Sequence, residues 1–127
     1  MLKTGQFIDN NDKTITDTKT DLVWQKDHTG PMSWQDAMDY ASKLELAGYR
    51  DWRLPTVEEL ITLIDFGKHE PASTFPNMPG KWFWSSSSYA PIPDHVWQVY
   101  FVNGYVYNVG KYYGDYVRCV RREGHWL

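Results

Sequence analysis

The strongest constraint on the fold is a hairpin signal in the last third of the chain. Two runs of β-forming residues, 96–102 and 105–109, are separated only by Asn103 and Gly104. A type I′ turn needs positive φ at both of its central residues, and Asn-Gly adopts that conformation readily. The sequence therefore predicts an antiparallel hairpin closed by a two-residue turn, followed by a final strand over 116–121.

A second β-rich region lies at the start of the chain. Three short runs, 7–8, 14–16 and 22–24, alternate with turn-forming residues and predict strands. The acidic turn at 9–12 superficially resembles a calcium loop. It lacks the spaced ligands and the Gly and Glu positions of an EF-hand, so we expect an ordinary hairpin turn there.

Two amphipathic helices are predicted between these β regions. Ser33 is a good N-cap for the first helix, and Gln35 and Asp36 follow it in the first turn, where an acid is favoured. Thr56 and Glu59 form a capping box that begins the second helix, which we expect to end at Gly67. The apolar residues at helical spacing are Trp34, Ala37, Met38, Ala41 and Leu44 in the first helix, and Leu60, Ile61, Leu63 and Ile64 in the second.

The order of these elements indicates the fold class. Strands and helices are segregated along the chain, a Pro-containing loop covers 68–81, and a further strand is predicted at 82–86. This order is typical of an α+β domain rather than of repeated βαβ units. The 127 residues fit one domain, 1–127, without a metal or disulfide to hold it together.

The composition limits the classes of partner. Aromatic residues make up 17% of the chain, including seven Trp and nine Tyr, which is more than a core of this size needs. Some rings are therefore expected at the surface, where Tyr and Trp favour interfaces. The net charge of −3 argues against nucleic acid as the partner.

Residues that could hold a metal ion or act as nucleophiles are sparse. The histidines at 28, 69, 95 and 125 are scattered without metal-ligand spacing, and the single Cys119 has no CxxC partner. We expect Cys119 to be a small buried residue, no metal or other cofactor, and no catalytic residues. The sequence as it stands predicts no signal peptide and no membrane insertion, and it leaves the compartment open.

Five motifs, in order, resemble one known family. The most specific is Gly48-Tyr49-Arg50-Asp51-Trp52-Arg53-Leu54-Pro55-Thr56, and the others are 14–26, 33–37, 83–87 and 117–121. They resemble the C-terminal domain family of the Legionella collagen-like adhesin. The resemblance implies a C-type-lectin-like fold, in which two helices flank a small twisted antiparallel sheet and the N- and C-terminal strands are adjacent.

The same resemblance implies a class of function. Members are similar to adhesins that bind glycosaminoglycans or other host polymers. The wider clan includes retroelement-diversified variable proteins and the formylglycine-generating enzymes. Those enzymes use two cysteines around copper, which one Cys cannot supply. The resemblance suggests a cell-surface, secreted or phage protein.

The signature string itself is expected to be structural. Trp52 and Leu54 are expected to point inward, and Asp51 and Arg53 can pair with each other or bond to loop backbone. Pro55 restricts Leu54 to an extended conformation just before the helix cap.

The candidate binding residues combine polar and aromatic character within one C-terminal stretch. They are Asn103, Tyr105, Tyr107, Asn108, Lys111, Tyr112, Tyr113, Asp115 and Tyr116. Tyr and Asn are residues that antibody-like binding surfaces favour, because they combine rigid area with adaptable hydrogen bonding. We therefore expect a polysaccharide or a protein receptor to bind this β surface.

Other interpretations remain open. The tyrosines could simply cover a sheet edge, or the aromatic surface could assemble the chain into a homo-oligomer. Fusion to a larger surface protein is also open, and an enzyme of the formylglycine-generating type is the remaining alternative.

Overall fold

The computed structural model describes residues 5–123, which form two helices and nine strands. In chain order they are β1 (Phe7–Asp9), β2 (Thr14–Asp17), β3 (Leu22–Gln25), β4 (Thr29–Met32), α1 (Trp34–Lys43), α2 (Val57–Ile61), β5 (Trp82–Ser88), β6 (His95–Tyr100), β7 (Tyr105–Gly110), β8 (Asp115–Val117) and β9 (Val120–Arg122). The α+β prediction is confirmed. Neither helix in this range has the length and apolar character needed to cross a lipid bilayer.

The strands form two sheets rather than the single small sheet that the resemblance implied. The first sheet has the order β1-β2-β3-β9 and is antiparallel throughout. The second has the order β4-β8-β5-β6-β7 and contains one parallel pair, β5 with β8. β9 pairs with β3, with Val23 opposite Arg121. The last strand therefore joins the sheet of the first three strands, but β1 lies at the far edge of that sheet rather than next to β9 as the resemblance implied.

The predicted final strand, 116–121, is split between the two sheets. β8 pairs with β4 and β5, whereas β9 pairs with β3. The break falls at Arg118 and Cys119, both of which are buried. The Arg118 guanidinium donates to the carbonyls of Gln25 and Lys26 and holds the chain where it passes from one sheet to the other.

The hairpin between β6 and β7 is confirmed, but the prediction of a two-residue turn is wrong. Tyr100 lies opposite Tyr105, which leaves a four-residue loop. Phe101 belongs to this loop and is fully buried, because its ring packs in the core. Gly104 closes the loop with φ of 84°, and a Cβ there would lie 2.8 Å from the Phe66 ring. Core packing thus sets the length of this loop.

The helix starts are confirmed and one helix end is wrong. Ser33 caps α1 and accepts a hydrogen bond from the Asp36 amide. α2 stops at Ile61 instead of Gly67, and Ile61 is 38% exposed rather than buried. After Ile61 the amides of the next residues bond three residues back, and the Leu63 carbonyl accepts from the Ser73 hydroxyl. Contacts with the following loop therefore end the helix early.

The strand β4 was not predicted. Its residues, Thr-Gly-Pro-Met, lack β-forming character, and Pro31 cannot donate to a ladder. The strand exists because β8 pairs with it, with Met32 opposite Asp115.

Two apolar clusters occupy opposite faces of the second sheet. One contains Trp84 and Val96 and packs against α1. The other contains Phe83 and Val99 and packs against α2. The predicted burial of Cys119 is confirmed, since it is fully buried in the first of these clusters.

The signature string connects α2, β9 and the core. Trp52 and Leu54 are buried, as predicted. Asp51 does not pair with Arg53 but accepts from Arg121 at 2.6 Å. Arg53 instead forms a two-point ion pair with Glu59, whose side chain also accepts from the Thr56 amide. The string is therefore a structural unit that fixes the start of α2.

Thr56→Ala is expected to lower the free energy of unfolding by about 1 kcal/mol, the usual cost of losing an N-cap. The Thr56 hydroxyl accepts from the Glu59 amide at 3.1 Å, and alanine leaves that donor unsatisfied. Urea unfolding followed by circular dichroism measures the change. Thr56→Ser keeps the acceptor and is expected to stay within a few tenths of a kcal/mol of the parent chain. Equal losses in both variants would contradict the role of the cap.

Candidate binding surface

Four tyrosines among residues 5–123 are strongly exposed in the last third of the chain, and we refer to them together as the tyrosine surface. They are Tyr105, Tyr107, Tyr112 and Tyr113, with exposed fractions of 65%, 63%, 76% and 60%. The sequence placed these rings outside the core, and the structure agrees. A tyrosine ring exposed to this degree keeps its apolar faces and its hydroxyl available for contact.

β7 directs two of these rings to one side of the second sheet. Tyr105 and Tyr107 alternate with Val106, which packs on the α2 side. Tyr105 and Tyr107 therefore share the α1 side with Val109, which packs on the α1-side cluster. α1 covers only part of this face, which leaves the two rings exposed.

Tyr105 and Tyr107 each stand at the end of a row of neighbouring side chains that crosses the second sheet. The register places Tyr105 beside Tyr100 and Tyr100 beside Trp82. The Trp82 and Tyr100 rings are stacked, with centroids 4.5 Å apart and planes 8° apart. Trp82 and Tyr100 are half-buried, so the exposed Tyr105 continues an aromatic row that begins on β5.

The second row contains a buried polar pair. Gln98 lies between Trp84 and Tyr107 in the register and is 6% exposed. With its amide nitrogen facing β8, Gln98 donates to both carboxylate oxygens of Asp115, at 2.8 and 3.3 Å. The prediction of Asp115 as an exposed contact residue is wrong, because it is only 4% exposed. Burial raises the pKa of Asp115 to about 7.

A hollow of about 290 Å³ lies beside the tyrosine surface, at the start of α1. It is lined by Ser33, Trp34, Gln35, Lys111 and Tyr112. The Lys111 ammonium lies 4.6 Å from the centroid of the Trp34 ring, and the Lys111 carbonyl accepts from the Trp34 amide. This hollow offers an aromatic wall and one cation, a combination suited to stacking and hydrogen bonding.

The remaining candidate residues do not all join this surface. The Asn108 side chain faces the α2 side, where its amide oxygen, Oδ1, lies 2.8 Å from His95 Nδ1. Tyr116 packs against the core, with its ring 6.2 Å from that of Phe83, so its prediction as a contact residue is not supported by its position. Asn103 is exposed, but its side chain accepts from the Tyr105 amide and thereby shapes the loop.

Some residues of the surface were missed at the level of sequence. Trp82 and Tyr100 were assigned to strands, and Trp34 to a core-facing helix stripe. Trp34 is half-buried and lines the hollow. The signal for the first two is the cross-strand register, which a single run of sequence does not contain.

Two observations on the described residues concern reactive side chains and metal ligands. Burial raises the pKa of the Cys119 thiol to about 12, so it is not an available nucleophile at neutral pH. Between residues 5 and 123 no group of three or more His, Cys, Asp or Glu side chains is placed to hold a metal ion. His125 lies outside the described residues.

The comparison with known protein families gives a match. The family model of the Lcl C-terminal domain matches residues 13–121, which is most of the chain. No curated protein sequence matches the chain.

Proposed function

Because the chain belongs to the Lcl C-terminal domain family, we propose that it is a non-catalytic, adhesin-like binding domain. Its ligand is a polysaccharide or a protein receptor, which contacts the tyrosine surface. The observation that carries this proposal is the exposure of four tyrosine rings, each at least 60% exposed, although most other large apolar side chains between residues 5 and 123 are at least partly buried.

The physical basis is rigid aromatic area. A tyrosine has two side-chain torsions, so it loses little conformational entropy when a ligand covers it. Tyr105 and Tyr107 stand on a strand whose position the β6 ladder fixes, and the stacked Trp82 and Tyr100 rings support the same face. Lys111 supplies a cation beside Trp34 that can orient a polar group of the ligand.

The proposed fold relationship is C-type-lectin-like. Two helices pack on opposite faces of a sheet, and the closing strand β9 pairs with β3 near the start of the chain. These features support the relationship that the resemblance implied. In such a frame the C-terminal strands and loops carry the binding surface.

The proposed absence of catalysis is supported by the state of the reactive groups. Asp51 and Arg53 are each engaged in an ion pair, which lowers the pKa of Asp51 and raises that of Arg53. The buried Cys119 thiol has no second cysteine with which to hold copper. Copper-dependent oxidation of a peptide thiol by the purified protein would overturn this part of the proposal.

Paired replacement of the tyrosines is expected to weaken ligand binding at least about tenfold, since truncating one aromatic hot-spot residue costs about 2 kcal/mol or more. The variants are Tyr105→Ala with Tyr107→Ala, and Tyr112→Ala with Tyr113→Ala. A glycan and heparin array together with a panel of surface proteins identifies the ligand, and surface plasmon resonance then measures affinity.

Two controls separate contact from folding. Ile61→Ala changes an exposed apolar residue on α2, on the opposite side of the second sheet, and is expected to leave affinity unchanged. Tyr105→Phe with Tyr107→Phe keeps the rings and removes the hydroxyls, which separates stacking from hydrogen bonding. Unchanged affinity in both alanine pairs, with the fold intact, would refute the assignment of the surface.

A further inference from the structure

The outer edges of the two sheets differ in how they are protected from pairing. An edge strand presents unpaired N–H and C=O groups, which proteins shield with short strands, proline, charges or bulges. β1 is three residues long and ends at Asp9, which pairs with Lys26 at 2.9 Å. β4 contains Pro31 and a register shift. β9 is bridged on its outer side, where Arg53 exchanges two backbone hydrogen bonds with Val120.

β7 differs from these three edges along its whole length. It has six residues, contains neither proline nor a charged residue, and keeps an unbroken register with β6. No described strand pairs with its outer side. An edge of this length without protection is suited to pairing with another strand.

The ladder identifies which backbone groups of β7 point outward. The Lys111 amide donates to the Asp94 carbonyl at 3.0 Å, in register with the β6 and β7 pairs. In an antiparallel ladder alternate residues make such bonds. The odd-numbered residues of β7 therefore bond to β6, whereas Val106 and Asn108 direct their N–H and C=O groups away from the sheet.

We propose that β7 pairs antiparallel with β7 of a second copy of this chain, about a two-fold axis that passes beside Tyr107. Val106 of each copy then lies opposite Asn108 of the other, and their outward groups form about four hydrogen bonds. The two Tyr107 rings meet near the axis, and Tyr105 lies opposite Val109 of the second copy. Such aromatic and β-branched cross-strand pairs are favourable.

The composition of β7 explains why the partner is a second copy rather than a different protein. A two-fold interface sets the same patch against itself, so a charge near the axis would lie close to the same charge of the second copy. β7 has no charge. The nearest cation, Lys111, would lie opposite Asn103 of the second copy, which is neutral. The strand is therefore complementary to itself in both backbone and side chains.

Sedimentation of the full chain across a wide concentration series tests the proposal. We expect a monomer–dimer equilibrium in which the dimer fraction rises with concentration. Hydrogen exchange provides the local readout, because the Val106 and Asn108 amides should become protected only at concentrations where the dimer forms.

Two variants act on the interface by different means. Val106→Pro removes an outward N–H that the monomer does not use, and proline is tolerated at such edge positions. Tyr107→Lys brings two like charges together at the axis. Both are expected to weaken self-association at least about tenfold while the circular dichroism spectrum is preserved. Val106→Thr and Tyr107→Phe are the matched controls, and both should associate like the parent chain.

The outcomes separate clearly. A parent chain that remains monomeric at millimolar concentration would overturn the proposal, and so would an oligomer that Tyr107→Lys leaves intact. If Val106→Pro does not fold, Tyr107→Lys still tests whether β7 forms the interface. Self-association and ligand binding can be tested separately, because Val106→Pro leaves every exposed tyrosine in place. A chain that fails to dimerise but still binds its ligand refutes this inference alone.

Discussion

Arg118→Ala is expected to lower the free energy of unfolding by about 3–5 kcal/mol, the largest loss that we predict for a single substitution. Arg118 is 1% exposed, and its guanidinium donates to the carbonyls of Gln25 and Lys26. The same group lies 4.4 Å from the centroid of the Phe75 ring and 5.7 Å from that of Phe83. Alanine would leave a large cavity and would remove the Arg118 donor from the carbonyls of Gln25 and Lys26.

Arg118 remains a cation at neutral pH despite its burial. Burial lowers the pKa of the guanidinium to about 10, and the nearby Asp27 carboxylate partly opposes that shift. The charge is stabilised by carbonyl dipoles and aromatic faces rather than by a direct carboxylate contact. The Arg118 side chain thus contacts the end of β3 from a position between β8 and β9. Its removal should therefore destabilise the connection between the two sheets.

The measurement is urea unfolding at neutral pH with two comparison variants. Arg122→Ala removes an exposed arginine from the same closing segment and is expected to cost less than about 0.5 kcal/mol. Arg118→Met restores much of the volume but no donor, and an intermediate loss is expected. A loss below about 1 kcal/mol for Arg118→Ala would contradict the assigned role of this residue in joining the sheets.

Asp115→Asn is expected to remove a pH dependence of stability that the parent chain shows between about pH 4 and pH 7. Burial raises the pKa of Asp115 from its usual range to about 7 in the folded protein. In that window the folded chain holds a proton that the unfolded chain has released. The free energy of unfolding therefore falls as pH rises, and it levels off above the folded pKa.

The size of the effect follows from the shift. From pH 5 to pH 8 the parent chain should lose about 2 kcal/mol relative to Asp115→Asn, since each pH unit in the window is worth about 1.4 kcal/mol and the Gln98 amide offsets part of the burial. At pH 8 the asparagine variant should be the more stable protein. Its amide has the shape of the carboxylate, and Gln98 can turn to bond with it.

Urea unfolding at pH 5 and pH 8 measures how the free energy of unfolding changes with pH in the parent chain and in Asp115→Asn. The pKa of Glu59 is lowered overall: its burial opposes that shift, and the Arg53 guanidinium and the Thr56 amide produce it. The stability that Glu59 contributes is present above its unfolded pKa and is lost only in more acidic solution, outside the window. Asp39→Asn, at an exposed position on α1, should keep the parent slope. The same slope in Asp115→Asn would show that another group titrates.

The two helix starts illustrate what local sequence can predict. Ser33 and Thr56 each accept a hydrogen bond from an amide three residues ahead, and this contact needs no other part of the chain. The alternation that leaves Tyr105 and Tyr107 exposed is equally local, because side chains on a strand point to alternate faces. Both features were therefore predicted correctly.

The errors occur where distant residues decide the outcome. Phe101 lengthens the hairpin loop because its ring enters the core, and α2 ends early because the Ser73 hydroxyl bonds to the Leu63 carbonyl. Asp115 has the composition of an exposed contact residue, yet β8 is enclosed between β4 and β5. None of these contacts joins residues within one run of sequence.

The sequence by itself determined the family, the α+β class, the helix caps and the exposure of the tyrosines, because motifs, capping bonds and strand alternation depend on residues a few positions apart. Only the tertiary structure decided that the closing segment divides at Arg118 between two sheets, that Asp115 is buried with Gln98, and that β7 is an open edge. Those features depend on which strands become neighbours, and strand neighbours are chosen by the packing of the whole chain.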